Sequence, residues 1–146
     1  MRAAEAADLD SVAGLDARIT ETAKPLYWQQ LLQRYADGPP ERCFLVAETL
    51  AGEFIGFAIG EVRAWEFGAP PCGWIFAIQV DPARRLQRAG TALFEALRAR
   101  FHALGVRRLR TLVDRKDHLI LSFFRAQGMR AGPSLQLELD ESETDE

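Results

Sequence analysis

Trp74-Ile75-Phe76-Ala77-Ile78-Gln79-Val80-Asp81-Pro82-Ala83-Arg84-Arg85-Leu86-Gln87-Arg88-Ala89-Gly90-Thr91-Ala92-Leu93 is the stretch on which the reading of this chain turns. Trp74 to Val80 is a short run, apolar on both sides, which predicts a central strand. Asp81 to Gly90 carries no apolar period and reads as a loop. Leu93, Leu97, Phe101 and Leu104 then fall on one helical stripe, with Gly105 as the stop. A strand, a short loop and a helix entry bring the unpaired first-turn N–H groups of that helix beside Arg84, Arg85 and Arg88. Helix N-termini hold anions, and arginines add full charge in a fork that suits phosphate. Gly90 lets the backbone approach such a ligand closely.

Outward from this stretch the periods alternate. Leu109 to Val113 predicts another strand, so the strand–helix–strand unit demands a parallel pair with a right-handed crossover. Asp117 can cap a helix over Leu119 to Gln127 that Gly128 ends. Leu135-Gln136-Leu137-Glu138-Leu139 alternates strictly and predicts a closing, half-exposed strand. Upstream, Leu9, Val12, Leu15 and Ile19 mark a helix starting near Asp8. Pro25 opens a second helix through Leu31 and Tyr35 that Gly38-Pro39-Pro40 stops. Cys43–Glu48 and Phe54–Gly60, joined by Thr49 to Glu53, form a hairpin pattern. The fold class is α/β (α+β): one mixed central sheet with helices on both faces. Residues 1–140 are expected to form a single domain, and 141–146 an acidic, disordered tail.

Composition fits that reading. The 146 residues are 48% apolar and 27% charged, which excludes global disorder. A net charge of −3 argues against a dedicated nucleic-acid binder. It also hides an asymmetry. From Glu138 onward there are six acids and no base, so the preceding residues hold 18 bases against 15 acids and suit an anionic ligand. Cys43 and Cys72 have no Cys or His at ligand spacing, so they read as small apolar fillers and no metal site is expected. The first residues lack the apolar core of a signal peptide, and no apolar run reaches the roughly 20 residues that span a bilayer. The expected setting is cytoplasmic, with no membrane partner.

Val80-x-Pro82-x-x-Arg85-x-x-Arg88-x-Gly90-x-x-Leu93 resembles the acyl-CoA-binding signature of the GNAT superfamily of N-acetyltransferases. Asp117-x-x-Ile120-x-x-Phe123-Phe124-x-x-x-Gly128-Met129 resembles a second element of that family, Asn-x-x-Ala-x-x-Leu-Tyr-x-x-x-Gly-Phe. The order of predicted elements, from a short opening strand at Arg2–Ala4 to the closing strand, is also similar from end to end. The resemblance implies acetyl-CoA as co-substrate and an amine as acceptor. It further implies that the backbone of Ile78 and Val80 meets the pantetheine arm. The amides of Gln87, Arg88, Ala89, Gly90 and Thr91, with Arg85, would cradle the pyrophosphate, and Asp117 and Phe124 would stand beside the cofactor. A homodimer is compatible with the family, with the edge near Leu135–Leu139 as one candidate surface.

Three positions depart from the family pattern. Arg88 stands where the first signature glycine usually lies, so it is strained if the backbone there needs a positive φ and free to reach a phosphate if not. Phe124 replaces a tyrosine that often protonates the leaving thiolate, and it has no proton to give. Trp74 occupies the place where some members carry a glutamate base. Glu61, closing the second hairpin strand, is the replacement candidate for the base, against the plainer reading of a polar strand end. The Ser122 hydroxyl reads as bonded back to its own helix backbone, His118 as a first-turn residue in reach of the cofactor's outer part or a plain surface histidine, and His102 as a helix-surface residue. Tyr27, Trp28, Tyr35, Trp65 and Phe67, with Glu61 and Glu66, would frame an acceptor pocket suited to a cationic or aromatic amine, unless those rings belong to the core. The functional expectation is an acetyl-CoA-dependent N-acetyltransferase. The alternative is a CoA-binding module with little turnover, and an arginine-rich nucleic-acid binder is set aside for want of a base-reading motif.

Overall fold

The computed structural model describes residues 1–143, apart from the side chains of Leu86, Gln87 and Glu143. The expected tail therefore lies partly outside the described residues. The chain divides into two compact units, Met1–Leu112 and Val113–Glu146.

The first unit is built on β1 (Arg2–Ala3), α1 (Leu9–Thr20), α2 (Pro25–Ala36), β2 (Arg42–Glu48), β3 (Phe54–Arg63), β4 (Cys72–Val80), α3 (Ala89–Ala103) and β5 (Leu109–Thr111). The sheet runs β1-β2-β3-β4-β5 in space. Its pairs are antiparallel except β4 with β5, which is parallel as the crossover through α3 requires. Alternation along the strands divides the core. Phe44, Val46, Phe57 and Ile59 form one cluster with Val12, Leu15, Trp28, Leu31, Leu32 and Tyr35 of α1 and α2. Trp28 meets Phe57 edge to face at 5.3 Å between ring centroids. Helix α3 covers the opposite face, touching β2, β3 and β4. Its Phe101 is fully buried, and a Cβ built on Gly73 would press on ring atom Cδ2 and lie 2.6 Å from Cε2, while one on Gly60 would lie 2.8 Å from Cζ. Those two glycines let the helix seat on the sheet. Arg2 ties β1 down by pairing with Asp8 at 2.7 Å and Glu48 at 3.2 Å.

The second unit centres on α4 (His118–Ala126). Asp117 caps it, its Oδ1 accepting from the Ile120 N–H at 3.1 Å. Gly128 closes it at φ +96°, with the Met129 N–H donating to the Phe124 carbonyl at 3.1 Å. The expected strand at Leu135–Leu139 does not form. Alternation gives the segment strand propensity, but a strand also needs a ladder partner, and none is paired with it among the described residues. The strand expected over Leu109–Val113 likewise stops at Thr111. The cysteines behave as expected: both are buried, and burial pushes both thiols up.

Candidate functional site

The site begins with a phase change on β4. Ala77 faces Ile59 and Ile75 faces Gly60, so Phe76 has no partner and forms a bulge. Before the bulge, the Gly73 N–H donates to the Arg108 carbonyl at 2.8 Å, and the strand is stitched to β5 through Ile75↔Thr111. The Thr111 hydroxyl closes this last rung, donating to the Ile75 carbonyl at 2.8 Å. After the bulge, the Asp81 N–H donates to the Ile55 carbonyl at 2.8 Å, which makes Val80↔Gly56 a non-hydrogen-bonded pair. The peptide groups of Val80 and, two residues back, Ile78 therefore turn away from β3 toward the side that β5 has left. Within the first unit, a row of backbone donors and acceptors is open to an extended ligand.

The strand leads into a 3-10 helix, Pro82–Gln87, capped by Asp81, whose Oδ1 accepts from the Ala83 N–H at 3.0 Å. Arg88 follows in the left-handed region at φ +57°, ψ +27°, and α3 starts at Ala89. Arginine thus adopts the conformation that glycine usually supplies here. A right-handed residue followed by a left-handed one turns consecutive N–H groups into a concavity that holds anions. The first-turn amides of α3 lie directly beyond it. Ala89 is buried, Gly90 and Thr91 are half-buried, and Arg85 and Arg88 are exposed. Arg84 is drawn away to an ion pair with Glu53. Arg85 and Arg88 make no ion pair among the described residues and remain the cations of this loop.

On the α1–α2 face, Glu61 is one-fifth exposed and fully engaged. Its carboxylate accepts from Arg42 Nε at 3.3 Å, Arg63 Nη1 at 3.2 Å and the Tyr35 hydroxyl at 3.5 Å. Arg63 continues to Glu66 at 2.8 Å. Burial and the neighbouring Glu61 push the Tyr35 phenol up to about 12. Glu61 is paired with Trp74 across the β3–β4 ladder. The aromatic set splits: Trp28 and Tyr35 are core, whereas Tyr27, Trp65 and Phe67 are exposed. Trp65 and Phe67 both hold positive φ, +66° and +55°, a costly conformation for such side chains.

A buried polar cluster beneath β4 escapes the sequence reading. Asp16 of α1 is 2% exposed and accepts from Gln79 Nε2 at 2.9 Å, Lys24 Nζ at 2.9 Å and Trp28 Nε1 at 3.1 Å. Burial opposes its charge, but these three donors outweigh burial and hold the carboxyl below its ordinary value. The signal was present: Asp16 interrupts the apolar stripe of α1, and Gln79 is the one polar side chain between Trp74 and Val80. In the second unit, Asp117 is committed to capping, Phe124 is buried edge to face with Phe123 at 5.2 Å, and His118 is exposed.

A family model described as "Acetyltransferase (GNAT) family" matches residues 9–129. No curated protein matches the chain. Among solved structures, a tetramutant of the BH1408 protein of Bacillus halodurans is similar at TM-score 0.80 and 20% identity, over 95% of this chain and 97% of that one. The aminoglycoside N-acetyltransferase AAC(6')-Iy in complex with CoA is similar at TM-score 0.80 and 16% identity, over 94% and 91%. The aminoglycoside 6'-N-acetyltransferase AAC(6')-IG of Acinetobacter haemolyticus, in its apo form, is similar at TM-score 0.80 and 15% identity, over 95% and 96%. At these identities the likeness is one of fold.

Proposed function

This chain belongs to the GNAT family of acetyltransferases, and we propose that it transfers the acetyl group of acetyl-CoA to a primary amine of a small molecule or protein. The observation that carries the proposal is the pairing of two features on one strand. Strand β4 loses β5 after Ile75↔Thr111, and it runs into the left-handed turn at Arg88. An extended amide arm bonds to the peptide groups of Ile78 and Val80. Its pyrophosphate lies on the amides from Gln87 to Thr91, with Arg85 and Arg88 supplying charge.

With the thioester held where the strands part, the amine nitrogen attacks the carbonyl carbon, the C–S bond breaks, and coenzyme A leaves as thiolate. Holding both reactants in line is most of the work. Glu61 takes the proton shed by the nitrogen, through water, while Tyr35, Arg42 and Arg63 fix its carboxylate. Phe124 offers no proton, so the thiolate, with an ordinary thiol pKa of about 8.5, departs unassisted by that side chain and is protonated by solvent. Aminoglycosides, the substrates named for two of the similar structures, belong in the acceptor panel beside simple polyamines and lysine peptides.

Thiol release from acetyl-CoA across that panel is the test. Acceptor-dependent release, lost in Gly90→Glu, is the expected outcome. Phe124 and Trp74 also favour a second reading, a CoA-binding module without turnover. Tight CoA binding with no release on any amine would establish that reading instead.

A further inference from the structure

Between the end of β3 at Arg63 and the start of β4 at Cys72, the first unit carries two aromatic residues in a costly state. Trp65 holds φ +66° and Phe67 φ +55°, and the two are 70% and 89% exposed. Left-handed backbone is unfavourable for a bulky side chain, and exposure denies both rings the packing that would offset it. Stability alone would place glycine or asparagine at each position. The loop nevertheless closes on itself. The Trp65 N–H donates to the Ala69 carbonyl at 2.7 Å, the Ala69 N–H to the Glu66 carbonyl at 3.1 Å, and the Gly68 N–H to the Trp65 carbonyl at 3.2 Å.

The loop is also tied to Glu61. Arg63 donates from Nε to Glu66 at 2.8 Å and from Nη1 to Glu61 at 3.2 Å, so one guanidinium joins the two carboxylates. The charges of this group balance, Glu61 and Glu66 being matched by Arg42 and Arg63. Neither carboxylate is left over to draw a polycation, whereas two exposed rings offer a surface to an aromatic body.

We propose that Trp65 and Phe67 determine acceptor specificity, holding the ring of an arylalkyl primary amine whose nitrogen lies toward Glu61. The proposal rests on the acetyl-transfer reading and narrows it: the acceptor is a monoamine with an aromatic body, not a polycation. Ring on ring buries apolar area on both partners, and a loop already closed in one shape loses little freedom on binding.

Two readouts test it. Calorimetric titration of 2-phenylethylamine, n-butylamine and spermidine, in saturating CoA, reads binding without turnover, and thiol release from acetyl-CoA reads kcat/KM on the same amines. The expected result is 2-phenylethylamine bound about tenfold or more tightly than the other two, with Trp65→Gly and Phe67→Gly each removing most of that preference. Both variants relieve a positive φ, so their melting temperatures should stay level or rise, whereas loss of a ring with a structural role would lower them. Should a glycine variant loosen the loop, Trp65→Asn keeps the left-handed turn without the ring and carries the test. Selective binding with no thiol release would uphold the aromatic site and count against acetyl transfer. Thiol release without preference for the aryl amine would overturn the proposal and leave acetyl transfer standing. A preference indifferent to all three variants, or no affinity for the aryl amine, would overturn it as well.

Discussion

Asp16 Oδ1 accepts a hydrogen bond from Gln79 Nε2 at 2.9 Å, linking a buried carboxylate of α1 to the strand whose peptide groups on either side, at Ile78 and Val80, are open. A carboxylate only accepts, so the amide nitrogen must face it, and Lys24 and Trp28 complete the arrangement. Breaking this link strands several donors at once.

Asp16→Ala should therefore lower stability by about 1–3 kcal/mol for each buried donor left without an acceptor, and Asp16→Asn by less. The pH dependence has a definite sign. The folded-state pKa of Asp16 is depressed below 3.8, as is that of Asp8 through its hydrogen bonds with Arg2. Each contributes stability that is fully present above the unfolded value and is lost as pH falls through the folded one. Urea melts between pH 5 and 2 should show stability declining below about pH 4, with a shallower decline in Asp16→Asn.

Arg88 at φ +57° sets up a trade between strain and binding. Arg88→Gly relieves a left-handed penalty on the order of 1 kcal/mol, partly offset by the greater freedom of glycine when unfolded. The unliganded melting temperature should stay level or rise. The dissociation constant for CoA should rise about three- to tenfold, since an exposed charged contact to phosphate contributes about 1 kcal/mol. Calorimetric titration reads both changes, and tighter binding in the glycine variant would show that the side chain does not reach the ligand.

Gly73 has a separate task. A methyl group there would sit 2.6 Å from Phe101 Cε2 and 2.8 Å from its Cγ, and the ring is fully buried. Gly73→Ala should cost about 1–3 kcal/mol through overpacking, measured by denaturant melts. Gly14→Ala, where nothing lies within 4 Å, should be neutral or stabilising.

For Glu61, the proposed proton acceptor, Glu61→Gln keeps the shape and removes the base. The expected signature is kcat reduced about 10²-fold or more, with the KM for acetyl-CoA little changed. A variant with wild-type kcat would reassign Glu61 to holding Arg42 and Arg63.

Much of this architecture is legible in the sequence because period and punctuation agree. The apolar run Trp74–Val80, the stripe of α3 and the cap at Asp117 all appear where expected. The loop proposed to hold phosphate was legible as an arginine-rich helix entry, but which of its arginines form ion pairs was not. Arg84 is taken by Glu53, 31 positions away, and no local pattern records that. The same holds for Asp16 and Gln79, 63 positions apart. Leu135–Leu139 shows the converse, a local strand pattern whose realisation depends on a partner edge that the pattern itself does not supply.

Thermal unfolding with acetyl-CoA, free CoA and ATP, on wild type and Gly90→Glu, tests the central claim most directly. A ligand at a hundred times its dissociation constant adds roughly 2.7 kcal/mol, a rise of about 5–10 °C for a chain of this size. The account predicts that rise with both CoA species, little with ATP, and none in Gly90→Glu, whose added carboxylate occupies the pyrophosphate position. No rise with either CoA species in the wild type, or an equal rise in the variant, would contradict it.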